Sequence, residues 1–182
     1  MKPLTGFVRW PRALLVLWLV TGSTLVHSAP PQQLDAWESC LETSEGPVPV
    51  TLEHAATNEQ RRWGLMERPI LPANGGMLFF YDSQRPGSAG FWMYRTRIAL
   101  DIAWLDKDGV IVAMDTMTPC DTERARDCPT WKPGVPHQNV LEMNAGFFEK
   151  HHVDVGDNLV ASLEENTPCL PASTARKPAR ER

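Results

Sequence analysis

Apolar residues in this chain recur at period two over short stretches separated by glycine, proline and acidic turns, the signature of half-buried strands. In "VPVTLEHA", Val48, Val50 and Leu52 alternate with polar neighbours and predict a strand that opens the domain. "GGMLFFY" (75–81) is a short apolar run behind a glycine pair and predicts a buried strand; "FWMY" (91–94) and "LDIAWL" (100–105) predict two more. "DKDG" (106–109) has turn chemistry, so "LDIAWL" and the following "VIVAMDTM" form a predicted hairpin. "NVLEM" (139–143) and "NLVASL" (158–163) complete the set.

Only two stretches carry helical signals. Thr57 followed by Gln60 is a capping-box start, and Gly64 and Pro69 confine that helix to about two or three turns. "NAGFFEKHH" (144–152) predicts the second, ended by the turn "DVGD". "DSQRPGSAG" and the span from Pro119 to Pro136 are expected as loops. About seven short strands with two short helices, no internal repeat and no alternating strand–helix pattern imply a compact, mainly β sandwich or barrel-like domain over residues 48–163. Residues 29–47 are Pro- and Glu-rich, with Leu34, Trp37 and Leu41 spaced like one apolar face, and are expected as a linker with at most a short helix.

The ends of the chain change the picture from a fold to a location. Lys2, Arg9 and Arg12 precede the apolar run "ALLVLWLVTGSTLV", and Val26 and Ser28 are placed for cleavage after Ser28. Residues 1–28 therefore predict an export signal, too short and too polar at its end for a membrane span, and a periplasmic or secreted protein with no membrane anchor after cleavage. Removing them takes away three positive charges and no negative ones, so the formal charge moves from −4 to −7. That balance argues against a nucleic-acid partner, which needs clustered Lys and Arg. The one basic concentration, "ARKPARER", has nothing apolar to bury, and residues 164–182 are expected as a disordered basic tail.

All four cysteines fall in the exported part. In an oxidising compartment an even number implies disulfides first. The favoured pairs are Cys120 with Cys128, closing the polar loop "CDTERARDC", and Cys40 with Cys169, joining the flanks of the domain. On the chain-entropy view the short loop contributes roughly 2.5 kcal/mol and the long one nearer 5 kcal/mol. The spacings match no zinc finger or ribbon.

Candidate chemistry centres on two carboxylates in apolar strands. Along "LDIAWL", Asp101 shares a face with Ala103 and Leu105, where a charge must be neutralised, hydrogen-bonded or turned to a cleft. Arg95 and Arg97 are close enough in sequence to pair with Asp101 if the backbone bends between them. Glu142, between Leu141 and Met143, poses the same problem, and Asp101 and Glu142 could serve as an acid and base. His54, His137, His151 and His152 show no ligand spacing, and no metal site or cofactor is expected from them. Met66, Met77, Met93, Met114, Met117 and Met143 could suit copper(I), but their scatter through strands fits core filling better. No nucleophile elbow, phosphate loop or HExxH is present. Trp63, Trp92, Trp104 and Trp131 could offer an aromatic platform.

"QRRWGLMER", "GGMLFFY", "FWMYRTRIALDIAWLDKDGVIVAM", "MTPC" and "VLEMNAG…VGD" stand in the order found in the domain of unknown function 192 family, which the chain resembles over roughly residues 48–163. These are small, often exported bacterial and archaeal domains. The resemblance implies a small mainly β fold and a loop cysteine pair, supporting Cys120 with Cys128. The family's usual forms are similar to "RGLMxR", "GMLF", "FWMKNTxIPLDI" and "LELxAG". They single out Gly64, Leu65, Met66 and Arg68; Gly76, Met77 and Phe79; Trp92, Met93, Thr96, Leu100 and Asp101; and Leu141, Glu142, Ala145 and Gly146. This chain departs from the pattern at Tyr94 and Arg95, where Lys and Asn are usual, at Ala99 for Pro, and at Trp63 for a polar residue.

The family implies no activity. The expectation is an exported ligand-binding module for a small molecule or a surface, with a cleft near Trp92, Met93, Arg95, Arg97 and Asp101. A hydrolase using Asp101 and Glu142, and a copper(I)-handling protein using methionines, are the alternatives.

Overall fold

A computed structural model describes residues 32–161 and Cys169. The expected export signal and basic tail lie outside the described residues. Nine strands and two short helices make the fold. β1 (Ala36–Thr43) and β2 (Gly46–Ala55) form a long antiparallel hairpin, and α1 (Asn58–Trp63) then leads to β3 (Gly75–Phe79). β4 (Phe91–Trp92) precedes the hairpin of β5 (Leu100–Leu105) and β6 (Ile111–Met117). β7 (Thr130–Trp131), β8 (Asn139–Asn144), α2 (Phe147–Lys150) and β9 (Asn158–Ala161) complete the chain.

Seven strands build one curled sheet in the order β6-β5-β8-β3-β2-β1-β9. All its pairings are antiparallel except β2 with β3. That parallel pair requires a crossover, and α1 supplies it. α1 starts as its sequence predicts, with Thr57 accepting from the Gln60 N–H and Gln60 reaching back to the Thr57 N–H. It ends after six residues at Gly64, whose φ of +50° suits a residue without a Cβ. The two edges of the curl meet at a single bridge, Val110 to Asn158, so the sheet is a half-barrel.

Each face of the sheet carries its own core. On the inner face Leu41, Val50, Leu78, Leu105, Leu141 and Met143 pack with Phe147 and Phe148 of α2. On the outer face Met77, Ile102, Trp104 and Val140 are covered by the α1 connection and the two-stranded ribbon of β4 and β7. At about 1.5–3 kcal/mol per fully buried large side chain, two such layers outweigh the cost of ordering the covering loops. Arg68 pins the α1 connection from beneath: it donates to both Glu53 oxygens, at 2.5 and 2.7 Å, and to the Gln32 carbonyl.

Several expectations need correction. Residues 36–43, expected inside the 29–47 linker, form β1. Its backbone is committed by pairing with β2 on one side and β9 on the other, which overrides the helix-like spacing of Leu34, Trp37 and Leu41. "FWMY" contributes only two strand residues, and the long loop from Pro119 contains β7. Both disulfides are present as expected, Cys120–Cys128 and Cys40–Cys169.

Candidate functional site

Strand register decides the fate of the two candidate carboxylates. On β8, Glu142 lies opposite Met77 of β3 and Ile102 of β5, and projects with them to the outer face. Asp101 lies opposite Met143 and Thr116 and projects to the inner face. The acid and base pair expected from sequence is therefore split by the sheet itself: the two carboxyls open on opposite sides and share no cleft.

Asp101 is held by the protein's own donors. It is 3% exposed, accepts from the Thr116 hydroxyl at 2.8 Å, and accepts from the Phe148 N–H at 3.0 Å. α2 begins at Gly146, which has no side chain to cap the helix, and Asp101 supplies the missing acceptor from β5. The pairing of Asp101 with Arg95 or Arg97 does not form. Arg95 adopts a left-handed φ of 58°, which turns the chain away from β5 and carries both arginines to Glu67. Glu67 accepts from Arg95 Nε at 2.6 Å and Arg97 Nε at 2.8 Å, and these bonds, Arg95's first, hold its carboxyl below the usual range.

Glu142 has a different environment. It is 4% exposed, and burial alone pushes its carboxyl up to about 8. Among the described residues no hydrogen-bond donor or guanidinium offsets that cost. Gly76 brings β3 against β8 here, since a Cβ would lie 2.4 Å from the Glu142 carbonyl oxygen and 2.3 Å from Met143 Sδ. Above Glu142 opens a cleft of about 100 Å³ between the α1 connection and β4. Trp63, Phe79, Tyr81 and Trp92 wall it, Arg61 and Arg62 stand at its lip, and Thr96 adds a hydroxyl. Trp92 is 41% exposed at the opening of the cleft.

Arginines brace the walls. Arg61 donates to the Phe80 carbonyl at 2.7 Å and to Asn58 Oδ1 at 2.6 Å, and its guanidinium lies 4.7 Å from the Tyr81 ring centre. Arg85 covers the same ring at 4.1 Å, and Arg95 lies 5.6 Å from a Trp63 ring. β4 is positioned by β7, which follows directly on the Cys120–Cys128 loop.

Of the ligand-binding residues expected from sequence, Trp92 faces the cleft, whereas Met93 is fully buried beneath it. Arg95 touches the cleft only through Trp63, while Arg97 and Asp101 stand outside it. Sequence reasoning passed over Tyr81, Arg61 and Arg62. Their signal was weak, because Arg61 and Arg62 end a helix of only six residues and Tyr81 stands just past the end of β3. Five of the methionines divide between the two cores, Met114 and Met143 inside, Met77, Met93 and Met117 outside, while Met66 lines the cleft. His54 is wedged between the Trp37 and Phe80 rings, and burial lowers its pKa. Burial does the same to His137. Among the described residues no cluster of three His, Cys, Asp or Glu could hold a metal.

The residues singled out by resemblance converge on this place. Gly64, Leu65, Met66, Phe79, Trp92, Thr96 and Glu142 come from four separate motifs and line one cleft. The comparisons with known proteins agree on kinship and name no activity for this chain. The crystal structure of a proposed transcription regulator from Sinorhizobium meliloti 1021 superposes with a TM-score of 0.61 at 30% identity, covering 70% of this chain and 96% of that one. A protein of unknown function from Novosphingobium aromaticivorans DSM 12444 superposes with a TM-score of 0.63 at 26% identity, covering 74% of this chain and 91% of that one. No curated protein matches the sequence. The family profile for DUF192, an uncharacterized ACR, matches residues 40–161, and the chain belongs to that family.

Proposed function

We propose that the protein is an exported, disulfide-braced binding domain, and that the cleft above Glu142 takes a small molecule. The observation that carries this reading is Glu142 itself. A carboxyl buried between Met77 and Ile102 with no partner among the described residues costs stability, and here that cost falls where four motifs meet under an aromatic opening. A binding site explains the arrangement, since a ligand would supply the missing hydrogen bond. Export is supported by the signal-like residues 1–28 and by the two disulfides. The description of the Sinorhizobium protein as a transcription regulator stays with that protein; the acidic balance of this chain favours no nucleic-acid partner.

The test is a fragment screen by NMR on the oxidised chain. Ring-bearing fragments should shift the indole N–H signals of Trp63 and Trp92 while leaving Trp37, on the distant β1, unmoved. A screen in which no fragment moves Trp63 or Trp92 would refute the cleft as a binding site.

A further inference from the structure

Resting on that reading, we infer that the cleft is built for a small organic anion: a carboxylate on a flat apolar ring, its ring against the tryptophans and its oxygens between Glu142 and the arginine lip. A buried acid among aromatic rings would ordinarily suggest the opposite, an organic cation held by cation–π attraction. Here the protein's own cations have taken that role. Arg61 and Arg85 lie on Tyr81, and Arg95 lies on Trp63. Among the described residues Arg61, Arg62 and Arg85 form no ion pair with a carboxylate, so the lip carries positive charge that nothing offsets. A cationic ligand would meet like charge at entry and find Tyr81 and a face of Trp63 already carrying guanidiniums, while Trp92 stays open to an uncharged ring.

The floor points the same way. Burial keeps the Glu142 proton to about pH 8, so at neutral pH the group is an uncharged hydroxyl donor. An anionic oxygen is the partner that such a donor binds best. The charged and titratable groups facing Glu142 are Arg61 and Arg62 from α1 and Tyr81 after β3, with Arg85 behind Tyr81. The strand neighbours Met77 and Ile102, and Phe91 and Trp92 of β4, carry none. Burial raises the Tyr81 hydroxyl above its ordinary value, so it stays neutral over the range in which Glu142 titrates. Once Glu142 ionises, it repels an anion and would attract a cation. One donor acid beside guanidinium groups suits a monoanion. At about 100 Å³ the cleft leaves room for no more than a single ring.

Three probes of one ring size separate the classes: benzoate, benzyl alcohol and benzyltrimethylammonium, titrated into the oxidised chain and followed at the Trp63 and Trp92 signals. Benzoate should bind tightest at pH 7 and about tenfold more weakly at pH 9, as expected for a donor with a pKa near 8. Glu142→Gln should keep benzoate binding at pH 7 and abolish the pH step, because the amide donates at both values. Arg62→Ala should weaken benzoate and leave benzyl alcohol unchanged. An ammonium probe that binds as well as benzoate, or benzoate binding that strengthens with pH, would overturn the anion inference while the cleft stands as a binding site. If none of the three moves Trp63 or Trp92 but other fragments do, the anion inference also falls alone. If every fragment is silent, both fall.

Discussion

Asp101 and Glu142 sit one position out of register on adjacent strands, and that offset gives two carboxylates opposite energetics. Asp101 accepts from a hydroxyl and from a helix N-terminal N–H. Asp101→Ala removes both acceptors and leaves the buried Phe148 N–H unsatisfied. It should cost about 2–3 kcal/mol in urea unfolding, with the first turn of α2 losing hydrogen-exchange protection. Unchanged stability would show that α2 is capped by another group. Glu142 behaves inversely. Its folded carboxyl keeps a proton to about 8, while the unfolded chain releases it near 4.5. The stability this proton contributes is complete below 4.5, declines as pH rises, and is gone above 8. The decline approaches about 1.4 kcal/mol per pH unit within that window. Glu142→Gln should remove that slope and be more stable than the parent at pH 8; parallel pH profiles for the two proteins would refute the assignment.

At the scale of elements, the ribbon of β4 and β7 is the weakest part of the cleft. Two residues pair with two, with Trp92 opposite Thr130, and no long ladder holds them. The disulfide Cys120–Cys128 closes the loop that enters β7 and limits its freedom. Replacing both cysteines by serine should cost roughly 2.5 kcal/mol and speed amide exchange at Trp92 and Trp131 well before the sheet responds. Uniform exchange across the molecule would indicate that the ribbon does not depend on the bond. The β5–β6 hairpin and the α1 cap were legible in the sequence because their signals are local: period-two alternation around "DKDG", and a Thr and Gln three apart. β1 was not, because the helix-like spacing of Leu34, Trp37 and Leu41 masks it, and part of what commits it to a strand lies about 120 residues away in β9. β4 and β7 were too short for any period to declare them. Glu142 was legible as an anomaly, but the face it takes depends on which strand it lies beside, and no local pattern carries that information.

On the scale of the whole molecule, a protein purified from its native compartment should begin at Ala29 and contain no reactive thiol. N-terminal sequencing and thiol labelling under denaturing conditions check both, and an intact Met1 in a membrane fraction would overturn the export reading. Among the described residues no helix is long and apolar enough to cross a membrane. The two disulfides are nested, Cys120–Cys128 lying inside the span from Cys40 to Cys169. A chain delivered N-terminus first presents Cys40, Cys120 and Cys128 before the rightful partner of Cys40 has appeared. Consecutive oxidation would then join Cys40 to Cys120, a bond that holds β1 away from β9. Reaching the native pairing calls for exchange of that bond once Cys169 arrives, so oxidative folding of this domain should depend on a disulfide isomerase rather than on an oxidant alone.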